Sequence, residues 1–234
     1  MYTALYTASQ AGQKQVVEVL LREGAAVNVD RLIAYQPLHV AAWPGRTAVA
    51  ELLLDAGAEI DVPAYTSGDT PIHLAVEKGK TEMVRFLLSR GADATIADAG
   101  GITPLYTAVP KNYVDIVRLL LEAVDPRKAS VLGVSVLYKA AEKGNAALQI
   151  LLDDGRLPIN GRGDKGETAL WIAAYSGHRD TVETLLSKGA DASIMRIDAT
   201  PEAAALHKGH HKIAELIDIG TTMLPGPIFE LLRM

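Results

Sequence analysis

Six histidines are the side chains of this chain that can exchange a proton near neutral pH, and there is no cysteine. Without cysteine, neither a disulfide nor thiolate chemistry is available. His207, His210 and His211 stand close enough in sequence to suggest a metal site. Gly209 breaks that run, however, and His210 follows its glycine as His178 follows Gly177. The triplet is therefore read as structural, and neither a metal nor a cofactor is assigned. No P-loop, HExxH or GxSxG motif occurs. No catalytic residue is named, and the question of enzymatic activity stays open, because Tyr and His side chains facing a groove are able to do acid–base work.

Other residues suit holding a partner. Trp43 stands beside Pro44, and Tyr35 and Tyr65 flank it at a distance in sequence. Lys78, Lys111, Arg31, Arg162 and Lys165 supply positive charge, with Arg offering a planar fork for carboxylate or phosphate. Their meaning depends on the elements that carry them.

Those elements repeat. Related phrases begin at 3, 36, 70, 103, 135, 168 and 200: Thr3-Ala4-Leu5-Tyr6, Gln36-Pro37-Leu38-His39, Thr70-Pro71-Ile72-His73, Thr103-Pro104-Leu105-Tyr106, Ser135-Val136-Leu137-Tyr138, Thr168-Ala169-Leu170-Trp171 and Thr200-Pro201-Glu202-Ala203. A fixed period of about 33 residues signals a stack of supersecondary units. Thr or Ser caps a first helix, and Pro fits its first position, where a missing N–H costs nothing. Nine residues on stand Gly12, Gly45, Gly79, Asn112, Gly144, Gly177 and Gly209, residue types that tolerate the left-handed conformation ending a helix. Apolar runs at helical spacing follow, such as Met83, Val84, Phe86, Leu87 and Leu88, and Gly57-Ala58, Gly91-Ala92 or Gly189-Ala190 close the second helix.

Thr70-Pro71-Ile72-His73-Leu74-Ala75, Gln36-Pro37-Leu38-His39-Val40-Ala41 and Gly91-Ala92-Asp93-Ala94 resemble the signatures of ankyrin repeats. The resemblance implies an all-α solenoid of about seven helix-turn-helix repeats with projecting loops. The array is placed at residues 1–218, and residues 219–234 form a tail or capping helix starting after Pro227 and covering the apolar end. The resemblance also implies that His39 and His73 bond backbone of the neighbouring loop, with Tyr6, Tyr106, Tyr138 and Trp171 filling the same space elsewhere. Its functional implication is a protein-protein interaction module that takes a protein or peptide on its concave face. An unorthodox small-molecule-binding protein or enzyme using the same groove is the alternative.

In such stacks the first helices and the loops line the concave face. The two residues before each turn glycine are free to vary there. The first reads Gln10, Trp43, Glu77, Pro110, Glu142, Tyr175 and His207, and the second Ala11, Pro44, Lys78, Lys111, Lys143, Ser176 and Lys208. Trp43 is expected to anchor the partner, with Tyr35 and Tyr65 in adjacent loops and Lys78, Lys111 and Arg31 setting orientation. Tyr175, Arg162, Lys165 and Arg196 in the C-terminal half form a second candidate patch, to be sought if Trp43 belongs to the core. Packing of Trp43 on its neighbouring repeat is the alternative. A net charge of −5 gives no footprint for non-specific nucleic-acid binding, and no apolar stretch is long enough for a membrane span. With Met1-Tyr2-Thr3 entering the first repeat directly, a cytoplasmic or nuclear setting is expected.

Two departures from the pattern carry structural expectations. The fourth repeat ends without Gly-Ala, and the second helix of the fifth, placed at Ala146–Leu152, is short, so an irregularity is expected around residues 123–160. In the seventh repeat Glu202 and Ala203 replace the usual apolar and aromatic residues, which suits a terminal repeat.

Overall fold

The computed structural model describes residues 3–29, 35–129, 135–163, 165–197 and 199–222. Among these residues there are helices and no β-strand, only an isolated bridge between Arg196 and Ala199. The chain forms two compact units, residues 1–124 and 125–234.

The first unit holds four helix pairs: α1 (Ala4–Ala11) with α2 (Lys14–Arg22), α3 (Pro37–Ala42) with α4 (Thr47–Asp55), α5 (Pro71–Glu77) with α6 (Thr81–Ser89), and α7 (Pro104–Ala108) with α8 (Val114–Ala123). First helices pack on first helices and second on second, in chain order. Leu38, Leu53, Ile72, Met83, Leu87, Leu105, Ile116 and Leu120 are fully buried between them. Each such side chain is worth about 1.5–3 kcal/mol, and no single pair of helices could bury it alone. The second unit holds three pairs: α9 (Val136–Lys143) with α10 (Ala147–Asp154), α11 (Ala169–Ser176) with α12 (Arg179–Ser187), and α13 (Pro201–His207) with α14 (His211–Thr222). Leu151, Leu170 and Leu185 are its most buried large side chains.

The capping chemistry accounts for the helix starts. The hydroxyls of Thr3, Thr103, Ser135, Thr168 and Thr200 each accept from the backbone N–H three residues on, at 3.1–3.3 Å. Thr70 differs, because its hydroxyl meets the His73 ring (Oγ1···Nδ1 2.9 Å). Gln36 stands where the others carry Thr or Ser, and its amide instead ties both backbone groups of Val29. All seven turn residues have positive φ, Asn112 included (56°).

The expected irregularity is visible. The chain leaves α8 in extended conformation at Val124 and makes a 3-10 turn at Pro126–Lys128, where Asp125 and Arg127 pair side by side. Helix α10 starts at Ala147 without a side-chain cap and runs to Asp154, two residues beyond the expected end. Helix α14 continues through residue 218 to Thr222. The expected helix after Pro227 lies outside the described residues.

Candidate functional site

Histidine in the first helix has a fixed job. Backbone N–H of Gln36 donates to His39 Nδ1 at 3.0 Å, which leaves Nε2 as the protonated nitrogen, directed at the Asp69 carbonyl 2.9 Å away. His73 repeats this arrangement between Thr70 N–H (3.1 Å) and the Ile102 carbonyl (3.1 Å). Both rings are neutral. Burial depresses the His39 pKa to about 4 against the opposing pull of the Asp69 carbonyl, and burial lowers that of His73 too. With both nitrogens engaged, neither ring is free to shuttle a proton. Trp171 occupies the same slot in the second unit, and its indole N–H donates to the Ala199 carbonyl at 3.1 Å. It thus supplies the bond as well as the bulk.

The His207, His210, His211 triplet is dispersed by a second repeating contact. In five places the residue after a turn position lies over the turn glycine of the preceding repeat. Arg46 lies on Gly12, Lys80 on Gly45, Tyr113 on Gly79, His178 on Gly144 and His210 on Gly177. Among the described residues no three His, Asp or Glu side chains gather as a metal site. The run Gly161-Arg162-Gly163-Asp164-Lys165-Gly166 has G-x-G-x-x-G spacing, which in dinucleotide-binding folds follows a strand. Here it lies in the loop between α10 and α11, and the N–H groups of Gly163 and Gly166 are bonded within that loop.

The first unit contains a groove of about 420 Å³ lined by Tyr6, Gln10, Tyr35, His39, Val40, Trp43, Pro44 and Leu74. Residues four apart on a helix share a face, which aligns Tyr6 with Gln10 and His39 with Trp43. His39, Val40 and Leu74 are buried in its floor. Tyr35 meets the His39 ring edge-on, centroids 5.6 Å apart. Trp43 retains helical dihedrals just past α3 and stays 42% exposed.

The structure gathers some of the candidate residues and separates others. Trp43 and Tyr35 line the groove, and the Lys78 ammonium sits 4.2 Å from the centroid of the Trp43 ring. Tyr65 is 63% exposed but is not part of the groove lining. Lys111 is paired with Glu77 at 2.9 Å. Arg31 lies outside the described residues. In the second unit Tyr175 stacks on Trp171 (centroids 5.0 Å apart), with Lys208 over Tyr175 at 4.5 Å and Arg196 over Trp171 at 4.7 Å. Arg162 donates to the Met195 carbonyl at 3.2 Å, while exposed Lys165 gives its backbone N–H to the Glu167 carboxylate.

One rule connects these lysines. Each reaches back to the variable position of the repeat before it: Lys78 to Trp43, Lys111 to Glu77, Lys208 to Tyr175. The partner is an aromatic face or a carboxylate according to what stands there. Sequence reasoning found the two columns but not the diagonal contact between them. It also did not single out Tyr6, Gln10, His39, Val40, Pro44 and Leu74 as a groove, although Gln10 stands in the same column as Trp43.

Comparison with known proteins places this geometry. A family model for ankyrin repeats matches three times, over residues 1–64, 61–130 and 123–196. Ankyrin repeat domain-containing protein 29 of Danio rerio is 43% identical over 63 residues, 26% of this chain and 21% of that protein. Ankyrin repeat and KH domain-containing protein mask-1 of Caenorhabditis elegans is 33% identical over 93 residues, 39% of this chain and 4% of that protein. The match to these curated relatives thus spans about a fifth of their length or less. Among solved structures, the ankyrin repeat domain of Bcl-3, described as a unique member of the IkappaB family, superposes with a TM-score of 0.79 at 28% identity, covering 92% of this chain and 98% of that one. The human ASB11 ankyrin repeat domain gives 0.80 at 23% identity, covering 97% and 100%, and at that identity the likeness concerns the fold alone.

Proposed function

We propose that this chain, which belongs to the ankyrin repeat family, holds a partner protein in the groove around Trp43, on the face made by the first helices and loops of its first unit. Ankyrin repeat proteins are generally protein-interaction modules, and that general role is the starting point. The observation that carries the specific reading is the exposure of Trp43 beside a groove of about 420 Å³ whose lining is largely aromatic and aliphatic. A large aromatic at such a place is a typical interface hot spot. The concave face of an ankyrin stack is where this reading puts the partner.

A small molecule is the second occupant to consider, because the groove volume falls within the roughly 300–1,000 Å³ range of ligand pockets. Acid–base chemistry there has little support, since both nitrogens of His39 are engaged.

A photo-crosslinking residue in place of exposed Gln10 tests the reading in extract from the native source, alongside a mass scan of small molecules carried by the purified chain. Capture of a discrete protein that is lost when Trp43→Ala is added supports the proposal. Capture unaffected by Trp43→Ala, or a tightly carried small molecule filling the groove, contradicts it.

A further inference from the structure

Three cations next to the groove make no ion pair among the described residues. Lys78 is exposed and, among the described residues, makes no ion pair. Its ammonium rests on the Trp43 ring with one side, leaving N–H donors directed elsewhere. Lys80 and Arg46 also make no ion pair among the described residues. The Lys80 stem lies against Gly45, next to the groove residue Pro44, and Arg46 lies against Gly12, two residues beyond Gln10. Two other lysines are neutralised, Lys111 by Glu77 at 2.9 Å and Lys139 by Glu142 at 2.7 Å. At the opposite side, the Asp69 carbonyl is taken by His39, and the Asp69 charge acts on that ring as well. Three cations thus stand beside the groove, Lys78 on its Trp43 ring and Lys80 and Arg46 on the turn glycines that follow its helices.

We infer that the segment taken by this groove is an acidic peptide, in which an aromatic or large aliphatic side chain enters between Tyr6, Tyr35 and Trp43 while neighbouring Asp or Glu carboxylates meet Lys78, Lys80 and Arg46. The inference rests on the reading of the groove as a protein-binding site. The apolar lining selects the inserted side chain, and the cations select what flanks it. A carboxylate that accepts from Lys78 makes a charge-assisted hydrogen bond without displacing the ammonium from the indole. A peptide with Lys or Arg at those positions places like charges together and is disfavoured. Because these contacts lie at the rim, their main effect is on partner choice and salt dependence.

The test is selection from a random twelve-residue peptide display library on the 234-residue chain, followed by titration of the enriched peptides. The expected result is peptides with an aromatic or Leu anchor flanked by Asp or Glu. Their binding falls about tenfold between low and high salt, falls about five- to tenfold in Lys78→Gln, and is largely lost in Trp43→Ala. A single cooperative urea transition in both variants, with the Trp43→Ala midpoint only modestly lowered, establishes that the fold is intact. Enriched peptides that need Trp43 but are neutral or basic and ignore Lys78→Gln overturn this inference and leave the groove reading standing. Peptides that bind Trp43→Ala as well as wild type, or no enrichment at all, overturn both.

Discussion

The ammonium of Lys78 lies 4.2 Å above the ring of Trp43, one repeat earlier in the chain. The contact covers part of an indole that remains 42% exposed, and at such a partly exposed site it contributes about 0.5–1 kcal/mol. Trp171, by contrast, is 5% exposed and spends its N–H on Ala199. The two tryptophans should therefore respond oppositely to truncation. Trp43→Ala is expected to cost about 1 kcal/mol of folding stability, and Trp171→Ala about 3–5 kcal/mol, as for other buried aromatics. Urea unfolding of both variants checks this, and similar losses would place Trp43 in the core.

Stability should depend on pH through the buried histidines. In the folded chain burial lowers the His39 pKa from 6.5 to about 4, and burial lowers that of His73 as well, while the unfolded chain titrates near 6.5. Between pH 6.5 and about 4 the unfolded state binds the proton on His39 that the folded state refuses. Stability is thus fully present above pH 6.5, falls as pH drops through this window, and loses no more on this account below about pH 4. A shift of that size corresponds to about 3 kcal/mol from His39. Urea midpoints across pH 7.5 to 4 check the slope, which His39→Gln should flatten. A flat profile in the wild type would contradict the neutral-ring assignment.

Two glycines with the same sign of φ should differ sharply in their tolerance of a side chain. Gly57 has φ 89° with nothing within 4 Å of a Cβ placed there, so Gly57→Ala pays only the left-handed penalty of about 1–2 kcal/mol. Gly144 has φ 57°, and a Cβ there would stand 2.5 Å from His178 Cγ. The His178 ring is itself held by the Glu142 carbonyl at 2.9 Å. Gly144→Ala is expected to cost at least about 3 kcal/mol, since the ring must give up that bond or the repeats must separate. Equal costs in thermal unfolding would show that the glycines are needed for backbone conformation alone.

Ser9 is fully buried in α1, and its hydroxyl has no hydrogen-bond partner among the described residues. The matching positions of the other repeats are all apolar, Ala42, Val76, Val109, Ala141, Ala174 and Leu206, and three of the six are Ala. Ser9→Ala is therefore expected to raise stability by about 1 kcal/mol, because an unsatisfied hydroxyl is removed without leaving a cavity. A loss of stability on chemical denaturation would mean that the hydroxyl has a partner in solution.

The fold was legible because its instructions are local. Thr168, Pro71 and Gly177 act within a few residues of themselves, as N-cap, first helical residue and helix end, and the period repeats the message. The groove was less legible because it is built across repeats. Trp43 announces itself in sequence, but its meeting with Lys78, and the joining of Tyr6 and Gln10 from α1 to Tyr35 and Pro44, depend on the lateral register of neighbouring helices. That register is set by packing, which leaves no short motif. The same limit hid the role of Trp171: its place in the histidine slot was readable, whereas the direction of its N–H toward Ala199 was not.

Calorimetric titration of a display-selected peptide into the wild-type chain, Trp43→Ala and Tyr175→Ala tests the binding site most directly. If the groove of the first unit is the binding surface, Trp43→Ala weakens binding about thirtyfold, or about 2 kcal/mol. Its urea unfolding stays cooperative and shows no more than the loss of about 1 kcal/mol expected of the truncation, and Tyr175→Ala binds as the wild type does. Undiminished affinity in Trp43→Ala, or loss of affinity in Tyr175→Ala alone, would contradict the account and move the binding surface to the second unit.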